Sequence, residues 1–103
     1  MDSTGIVVII DYRALPGREE AARGELEALV ATVVREERDC GGIRVLQDSS
    51  DPARIRLVEQ WTSREAYLGP HMETPHIKAF IARAGELVAG PPDISFWHDT
   101  GGA

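Results

Sequence analysis

A run of five β-branched residues near the start of the chain, residues 6–10, constrains the fold most strongly. Valine and isoleucine favour strands because branching at Cβ restricts their side-chain rotamers in a helix. Side chains along a strand alternate between the faces of a sheet, so consecutive apolar residues make both faces apolar. The segment GIVVIIDYR, bounded by Gly5 and by Pro16-Gly17, therefore predicts a buried strand over residues 6–13.

The next segment, ALPGREEAARGELEALVATVVREERD, carries apolar residues at helical spacing and predicts a helix. We expect Pro16 and Gly17 to open this helix and the CGG sequence at residues 40–42 to end it. Two short alternating segments, residues 43–47 and 54–61, then predict a pair of strands joined by the loop DSSDPA. Residues 93–98 predict the last strand, followed by a frayed tail.

The region between the third and fourth predicted strands predicts two helical pieces. Thr62 and Glu65 in the sequence TSRE fit a capping box, which predicts a short helix through residue 68. Thr74 followed by Pro75 predicts the N-cap and the first residue of another helix, after a break at residues 69–70. The apolar stripe of that second helix comprises Ile77, Phe80, Ile81, Ala84 and Leu87 or Val88.

The order of these elements is strand, helix, strand, strand, helix, strand. It predicts an α+β fold of the ferredoxin-like, split βαβ type, with a four-stranded antiparallel sheet and both helical regions on one face. We expect a single domain over residues 1–103 with an ordered core of about residues 5–98. Because both faces of the first strand are apolar, we also expect a homodimer in which a second copy covers the other face.

Charge and cysteine content exclude several kinds of partner. The net charge of −6 comes with no basic cluster, so we expect no nucleic-acid partner. No stretch is long and apolar enough to span a membrane and no basic segment opens the chain, so we expect no membrane association and a cytoplasmic location. The single cysteine, Cys40, excludes an internal disulfide and is interpreted as a small residue at a turn.

Two histidines in GPHMETPHIKAF raise the question of a metal site. His71 and His76 are five residues apart, whereas two ligands on one helical face need a spacing of three or four. Pro75 also places a helix start between them. We therefore expect no metal site and interpret the segment as a helix break followed by a capped helix start.

A compact group of aromatic and ionisable residues follows the third predicted strand: Glu59, Trp61, Tyr67, His71 and His76. Each has an ordinary structural explanation, with the tryptophan in the core, the tyrosine at its edge and the second histidine in the first turn of a helix. Together they would line one end of the sheet where the broken helix leaves a cavity. Such a cavity, apolar with few polar groups, suits a flat aromatic ligand.

The segment RIRLVEQWTSREAYLGPHMETPHIKAF resembles the antibiotic biosynthesis monooxygenase family. The shared features are a Glu-x-Trp strand end, an alanine in the next helix, a histidine ten residues after the tryptophan, and a Thr-Pro-His-hydrophobic-x-x-Phe helix start. In this chain they are Glu59, Trp61, Ala66, His71, residues 74–77 and Phe80. The resemblance extends to LPGREE, DSSDPARI and GPPDISFW and so covers nearly the whole chain.

This resemblance implies a dimeric α+β barrel and a monooxygenase that oxidises hydroquinones or anthrones with O2 and no metal, flavin or haem. A deprotonated substrate of this kind is itself electron-rich enough to reduce oxygen, so the protein supplies a dry pocket and a base. His71 is expected to be the base and Trp61 to stack on or donate to the substrate. Tyr67, His76, Glu59 and Phe80 are expected to bind the substrate.

Three departures from the family pattern bear on the function. Cys40-Gly41-Gly42 replaces a Pro-Gly-Cys turn and keeps the turn, Ile10 stands where the haem-degrading branch has asparagine, which argues against haem degradation, and Leu57 stands where some polyketide-tailoring members have a polar residue, which argues against a tailoring enzyme of that type. A cofactor-independent monooxygenase or quinol oxidase is the first hypothesis. A non-catalytic dimeric module that binds a small ligand or is associated with stress is the second, and a haem-degrading monooxygenase is the third.

Overall fold

The computed structural model describes residues 5–103, and the four residues before them, which the predicted domain includes, lie outside the described residues. Four strands alternate with helical segments. The strands are β1 (Ile6–Arg13), β2 (Cys40–Gln47), β3 (Arg54–Trp61) and β4 (Asp93–Trp97). The helices are α1 (Glu19–Glu36), α2 (Arg64–Leu68) and α3 (Pro75–Arg83), with 3₁₀ turns at Pro70–Glu73 and Ala84–Glu86.

The strands form one antiparallel sheet in the order β2-β3-β1-β4, with β1 and β3 at its centre. This order separates β1 from β2 by one strand and β3 from β4 by one strand, as the split βαβ arrangement requires. The predicted α+β, ferredoxin-like fold is therefore confirmed. The chain's most apolar strand, β1, occupies a central position, where both of its neighbours satisfy its backbone hydrogen bonds.

The pairing register divides the sheet into two faces. Opposite residues share a face, and β1 places Ile6, Val8 and Ile10 opposite Trp61, Glu59 and Leu57 of β3. We call this side the inner face, because the helices cover it. The opposite side, which we call the outer face, carries these residues: Val7, Ile9, Asp11, Arg44, Leu46, Arg56, Val58, Gln60, Ser95 and Trp97.

The hydrophobic core lies between the inner face and the helices. The apolar stripe of α1 contributes Ala22, Leu26 and Val33, which are buried, and α3 contributes Ile77 and Phe80. Burying a side chain such as Leu26 stabilises the fold by about 2 kcal/mol. Ile81, which the sequence assigns to the apolar stripe of α3, is half exposed at the edge of that helix.

Two predicted boundaries of the first helix are wrong. Gly17 has a φ of +80°, which is not helical, so Pro16 and Gly17 form a turn and α1 begins at Glu19. The CGG sequence does not end the helix, because α1 has already ended at Glu36. Cys40 instead begins β2 and is buried, and a bulge follows it before Gly42, whose φ is +141°.

The predicted N-cap of α2 is wrong, whereas that of α3 is correct. Ser63, not Thr62, caps α2, since its hydroxyl accepts a hydrogen bond from the Ala66 amide at 3.0 Å. The Thr62 hydroxyl donates instead to Asp39 at 3.0 Å, so the predicted capping box is wrong. Thr74 caps α3 as predicted, with Pro75 as the first helical residue.

Within residues 5–103, no helix has the length and apolar character needed to cross a membrane. The last strand ends at Trp97, one residue before the predicted end.

Candidate active site

A cavity of about 420 Å³ lies between the inner face of the sheet and the helices α1 and α3. Its lining is apolar apart from four polar side chains, those of Tyr12, Glu59, Tyr67 and His71, and none of the described residues around it is lysine or arginine. This volume is within the range of ~300–1,000 Å³ that is usual for small-molecule sites. The principal apolar residues are Ile10, Leu29, Val33, Leu57, Ile77 and Phe80.

The cavity reaches the protein surface between α3 and β4. Ile81 on α3 and Ile94 on β4 both line it, and each side chain is about half exposed. Pro91 and Pro92, which lie in the connection before β4, complete this side of the lining. A ligand would therefore enter past apolar side chains before it meets the polar ones.

Glu59 is a buried carboxylate on the cavity wall. Its place on the inner face follows from strand parity, because it lies opposite Val8 on β1. Trp61, two residues later on the same face, donates its indole N–H to Glu59 Oε1 at 2.8 Å. Burial raises the pKa of Glu59 to about 7, and the charge of Glu37 adds to this effect, while the Trp61 hydrogen bond opposes it.

His71 lies in the 3₁₀ turn between α2 and α3, and its ring is buried. Its Nδ1 lies 2.9 and 3.0 Å from the two carboxylate oxygens of Glu37. Burial lowers the pKa of His71 below its ordinary value, as does nearby His76, while Glu37 acts in the opposite direction. Burial therefore favours the neutral imidazole. Among the described residues, none forms a hydrogen bond with Nε2.

Three rings pack together at this end of the cavity. The His71 ring stacks on Tyr67 with a centroid separation of 5.1 Å and lies 4.6 Å from the Trp61 ring. Trp61 meets Tyr67 edge-on at 5.7 Å. These contacts fix the histidine from two sides, so its ring is held in one orientation against the cavity.

The structure brings most of the predicted site residues together. Glu59, Tyr67, His71 and Phe80 line the cavity. Trp61 is buried behind Glu59 and His71 rather than on the cavity wall.

His76 also lies away from the cavity wall. It sits in the first turn of α3 with its Nε2 2.6 Å from Glu37. The hydrogen bond ties this histidine to the carboxylate beneath His71 rather than to the cavity.

Two residues of the site were not predicted from the sequence. Tyr12 lines the cavity from β1, and burial, with the charge of Glu59, raises its pKa to about 12, so its hydroxyl stays protonated. The inner-face parity of Ile6, Val8 and Ile10 could have identified it. Glu37 lies in the charged sequence REERD, where nothing distinguishes it from its solvated neighbours.

The site combines an apolar chamber with two groups that can accept a proton near pH 7. Glu59, with a pKa of about 7, is partly ionised, and neutral His71 has a free ring nitrogen. Within residues 5–103, no three His, Cys, Asp or Glu side chains are grouped as a metal ion would require. The arrangement suits removal of a proton from an uncharged ligand.

Comparison with known proteins gives consistent relatives. The family model described as "Antibiotic biosynthesis monooxygenase" matches residues 5–83. The Escherichia coli K12 protein named "Probable quinol monooxygenase YgiN" is 34% identical over 85 residues, covering 73% of this chain and 80% of that protein. The structure of PA3566 from Pseudomonas aeruginosa is similar with a TM-score of 0.85 and 31% identity, covering 96% of this chain and 97% of the other. Rv0793 from Mycobacterium tuberculosis has a TM-score of 0.82 at 25% identity, covering 97% and 99%.

Proposed function

Because the chain belongs to the antibiotic biosynthesis monooxygenase family, we propose that it oxidises a small aromatic hydroquinone with O2 inside the inner-face cavity. One observation carries the proposal: an apolar cavity whose few polar groups include two proton acceptors, Glu59, whose pKa burial raises to about 7, and His71, whose pKa burial lowers. The name of the relative from E. coli, a quinol monooxygenase, points to the same substrate class.

The reaction begins with loss of a hydroxyl proton from the hydroquinone. His71 Nε2 accepts this proton, and the hydroquinone anion that remains is a much stronger reductant than its neutral form. O2 takes one electron to give a semiquinone and superoxide, which combine to form a C–O bond. The His71 imidazolium returns its proton to this peroxide, and the O–O bond then breaks as the ring carbon loses its hydrogen, which releases water and gives a hydroxyquinone. One hydroquinone and one O2 therefore yield one hydroxyquinone and one water. The substrate supplies the electrons, so no cofactor enters the scheme.

Glu59 and the two tyrosines would hold the substrate. The carboxylate of Glu59 can accept a hydrogen bond from the second hydroxyl of the hydroquinone, and the phenols of Tyr12 and Tyr67 stay protonated and can donate. Trp61 would act from behind, by holding Glu59 through its indole N–H. Phe80, whose ring lies edge-on to Tyr12 at 6.0 Å, would pack against the substrate.

The charge of the site favours a neutral substrate. The described lining contains a carboxylate and no cationic side chain. An anionic substituent such as a sulfonate would lose its hydration in this cavity without gaining a partner, at a cost of several kcal/mol. We therefore expect two- and three-ring neutral hydroquinones and anthrones to be better substrates than their charged analogues.

The homodimer predicted from the sequence is part of the proposal. The outer face carries half-buried Val7, Ile9 and Val58 beside the more exposed Leu46 and Trp97. An apolar surface of this kind usually marks an interface. A second copy would cover it by packing the two outer faces together, which gives the dimeric barrel that the family resemblance implies.

The test is O2 consumption by metal-free, haem-free protein with a panel of neutral hydroquinones and anthrones, corrected for oxidation without protein. We expect turnover of at least one neutral member and slower turnover of its sulfonated analogue. The absence of turnover across the panel would contradict the proposal.

A non-catalytic binding protein is the second candidate, because the same cavity would hold a flat ligand without chemistry. Saturable binding of a quinone with no O2 consumption would favour it. Titration with haem, followed by its absorption spectrum, tests the third hypothesis, since a haem-degrading enzyme must bind it. The cytoplasmic location stays a prediction.

A further inference from the structure

Glu37 forms a shared contact between two histidines that the proposed reaction leaves unexplained. It is the residue directly after α1, where the backbone turns from helical to extended, with φ −113° and ψ 106°. Its carboxylate contacts His71 Nδ1 at 2.9 and 3.0 Å and His76 Nε2 at 2.6 Å. Glu37 therefore ties the end of α1 to the 3₁₀ turn and to α3.

The contact determines where the imidazole protons lie. An ionised carboxylate only accepts hydrogen bonds, so each ring nitrogen that faces it must carry a hydrogen. His71 is then protonated at Nδ1, and the lone pair lies on Nε2. In the opposite tautomer, His71 Nδ1 and Glu37 would both present lone pairs at 2.9 Å, which is repulsive.

We propose that Glu37 is a positioning residue that holds His71 in the tautomer whose Nε2 faces the cavity and stabilises the imidazolium formed when this nitrogen takes the substrate's proton. The inference rests on the proposed function for its catalytic consequence. Glu37 acts through His71, because it is not among the cavity-lining residues.

His76 completes this arrangement from the opposite side. The His76 N–H donates to Glu37 Oε2 and so holds the carboxylate in place. The same hydrogen bond reduces the negative charge that Glu37 presents to His71. The two partners therefore act on His71 in opposite directions, since Glu37 favours the charged ring and His76 disfavours it. The groups that face the His71 ring or share the cavity with it are Glu37 after α1, His76 on α3, Tyr67 on α2, Glu59 and Trp61 on β3, and Tyr12 on β1.

The first measurement is ¹⁵N NMR of the imidazole nitrogens, which reports the tautomer whether or not a substrate is known. The chain has three histidines, so the signals can be assigned by single substitutions. We expect His71 to be protonated at Nδ1 and unprotonated at Nε2 in the unmodified protein. Finding the hydrogen on Nε2 would overturn the proposal.

Substitution of Glu37 provides the second measurement. In Glu37→Ala, we expect His71 to populate the Nε2–H tautomer and its pKa to fall, whereas in His76→Ala we expect its pKa to rise. The matched control is Glu36→Ala, at the exposed neighbouring residue, whose one ion pair among residues 5–103 is with Arg35. An unchanged tautomer and pKa in Glu37→Ala would contradict the proposal. If this variant does not fold, Glu37→Gln removes the charge with the shape preserved, and the same fall in the pKa is expected.

Kinetics separate positioning from binding. We expect Glu37→Ala to lower kcat by roughly 10- to 100-fold, part of the ~10²–10⁴-fold that a general base contributes, with little change in KM. Glu36→Ala should retain the kcat of the unmodified protein. A change in KM alone would contradict the positioning role. If no hydroquinone is oxidised, the proposed function fails, but the tautomer measurement still decides the role of Glu37.

Discussion

The two tryptophans make the same local hydrogen bond on opposite faces of one sheet. Trp61 donates its indole N–H to Glu59, two residues before it, at 2.8 Å, and Trp97 donates to Ser95, also two residues before it, at 2.8 Å. Trp61 is 3% exposed and Trp97 is 54% exposed. The same geometry therefore has different consequences, because only the acceptor on the inner face, Glu59, is buried away from water.

The difference extends to the charges on each face. On the inner face, burial raises the pKa of Glu59 to about 7. On the outer face, Asp11 accepts two hydrogen bonds from Arg56, at 2.7 and 3.1 Å, in a pair that solvent still reaches. An exposed pair of this kind contributes little to stability, whereas a buried carboxylate near neutrality can exchange protons with a ligand. Chemistry is therefore expected on the inner face and association on the outer one.

The largest expected effect separates two histidines. His71→Ala removes the proposed base and should lower the rate of hydroquinone oxidation by about 10²- to 10⁴-fold. His98→Ala, at an exposed residue just after β4, is the matched control and should keep the rate. Steady-state O2 consumption measures both. Equal rates of O2 consumption in the two variants would contradict the proposal that the reaction takes place on the inner face.

A charged residue at the centre of the outer face tests whether that face is the dimer interface. Val58→Glu should weaken dimerisation by at least roughly 100-fold, because two carboxylates would be buried near each other without partners. Leu68→Glu, at an exposed apolar residue on α2, is the control and should leave the dimer intact. Sedimentation or light scattering across protein concentrations gives the result. A dimer unchanged by Val58→Glu would mean that the outer face is not the interface.

The buried carboxylate makes a prediction about pH and stability. The pKa of Glu59 in the folded chain, about 7, lies above its unfolded value, so folding favours the protonated form. Its favourable contribution is complete below about pH 4.5 and is lost as the pH rises towards 7. Glu59→Gln should therefore raise the free energy of unfolding by up to about 3 kcal/mol at pH 8 and change it little at pH 4.

Urea denaturation at the two pH values measures this difference. Glu27→Gln, on the exposed side of α1, is the control and should change stability by less than about 0.5 kcal/mol at either pH. An equal effect of Glu59→Gln at pH 4 and pH 8 would show that the carboxylate is not held near neutrality.

The smallest expected effect compares the tryptophans directly. Trp61→Phe removes the only described donor to Glu59 and should lower the free energy of unfolding by about 1–2 kcal/mol. Trp97→Phe breaks an exposed hydrogen bond and should change it by less than about 0.5 kcal/mol. Urea denaturation of both variants tests the contrast, and equal losses would show that burial does not distinguish them.

The sequence predicts the fold well because its strongest signals record burial directly. The apolar stripe of α1 follows helical spacing, and the unbroken β-branched run of β1 marks a strand that is apolar on both faces. Element ends were predicted less well. Gly17 and Cys40 were misplaced because a glycine or a short turn sequence is compatible with either side of a boundary.

The candidate site was predictable in part. One stretch of sequence contains Glu59, Tyr67 and His71, so adjacent motifs identify all three together. Glu37 comes from a distant segment and meets His71 only after α1 has packed against the rest of the fold. No local pattern records such a contact, because the residues on either side of Glu37 are also charged.

The most direct test of the central claim uses the two indole N–H signals in the ¹H–¹⁵N spectrum. The chain has two tryptophans, and the phenylalanine variants assign their signals. A neutral naphthohydroquinone, added without oxygen so that no turnover occurs, should shift the Trp61 signal through Glu59 and leave the Trp97 signal in place. A shift of the Trp97 signal alone, or of neither signal at saturating ligand, would contradict binding on the inner face.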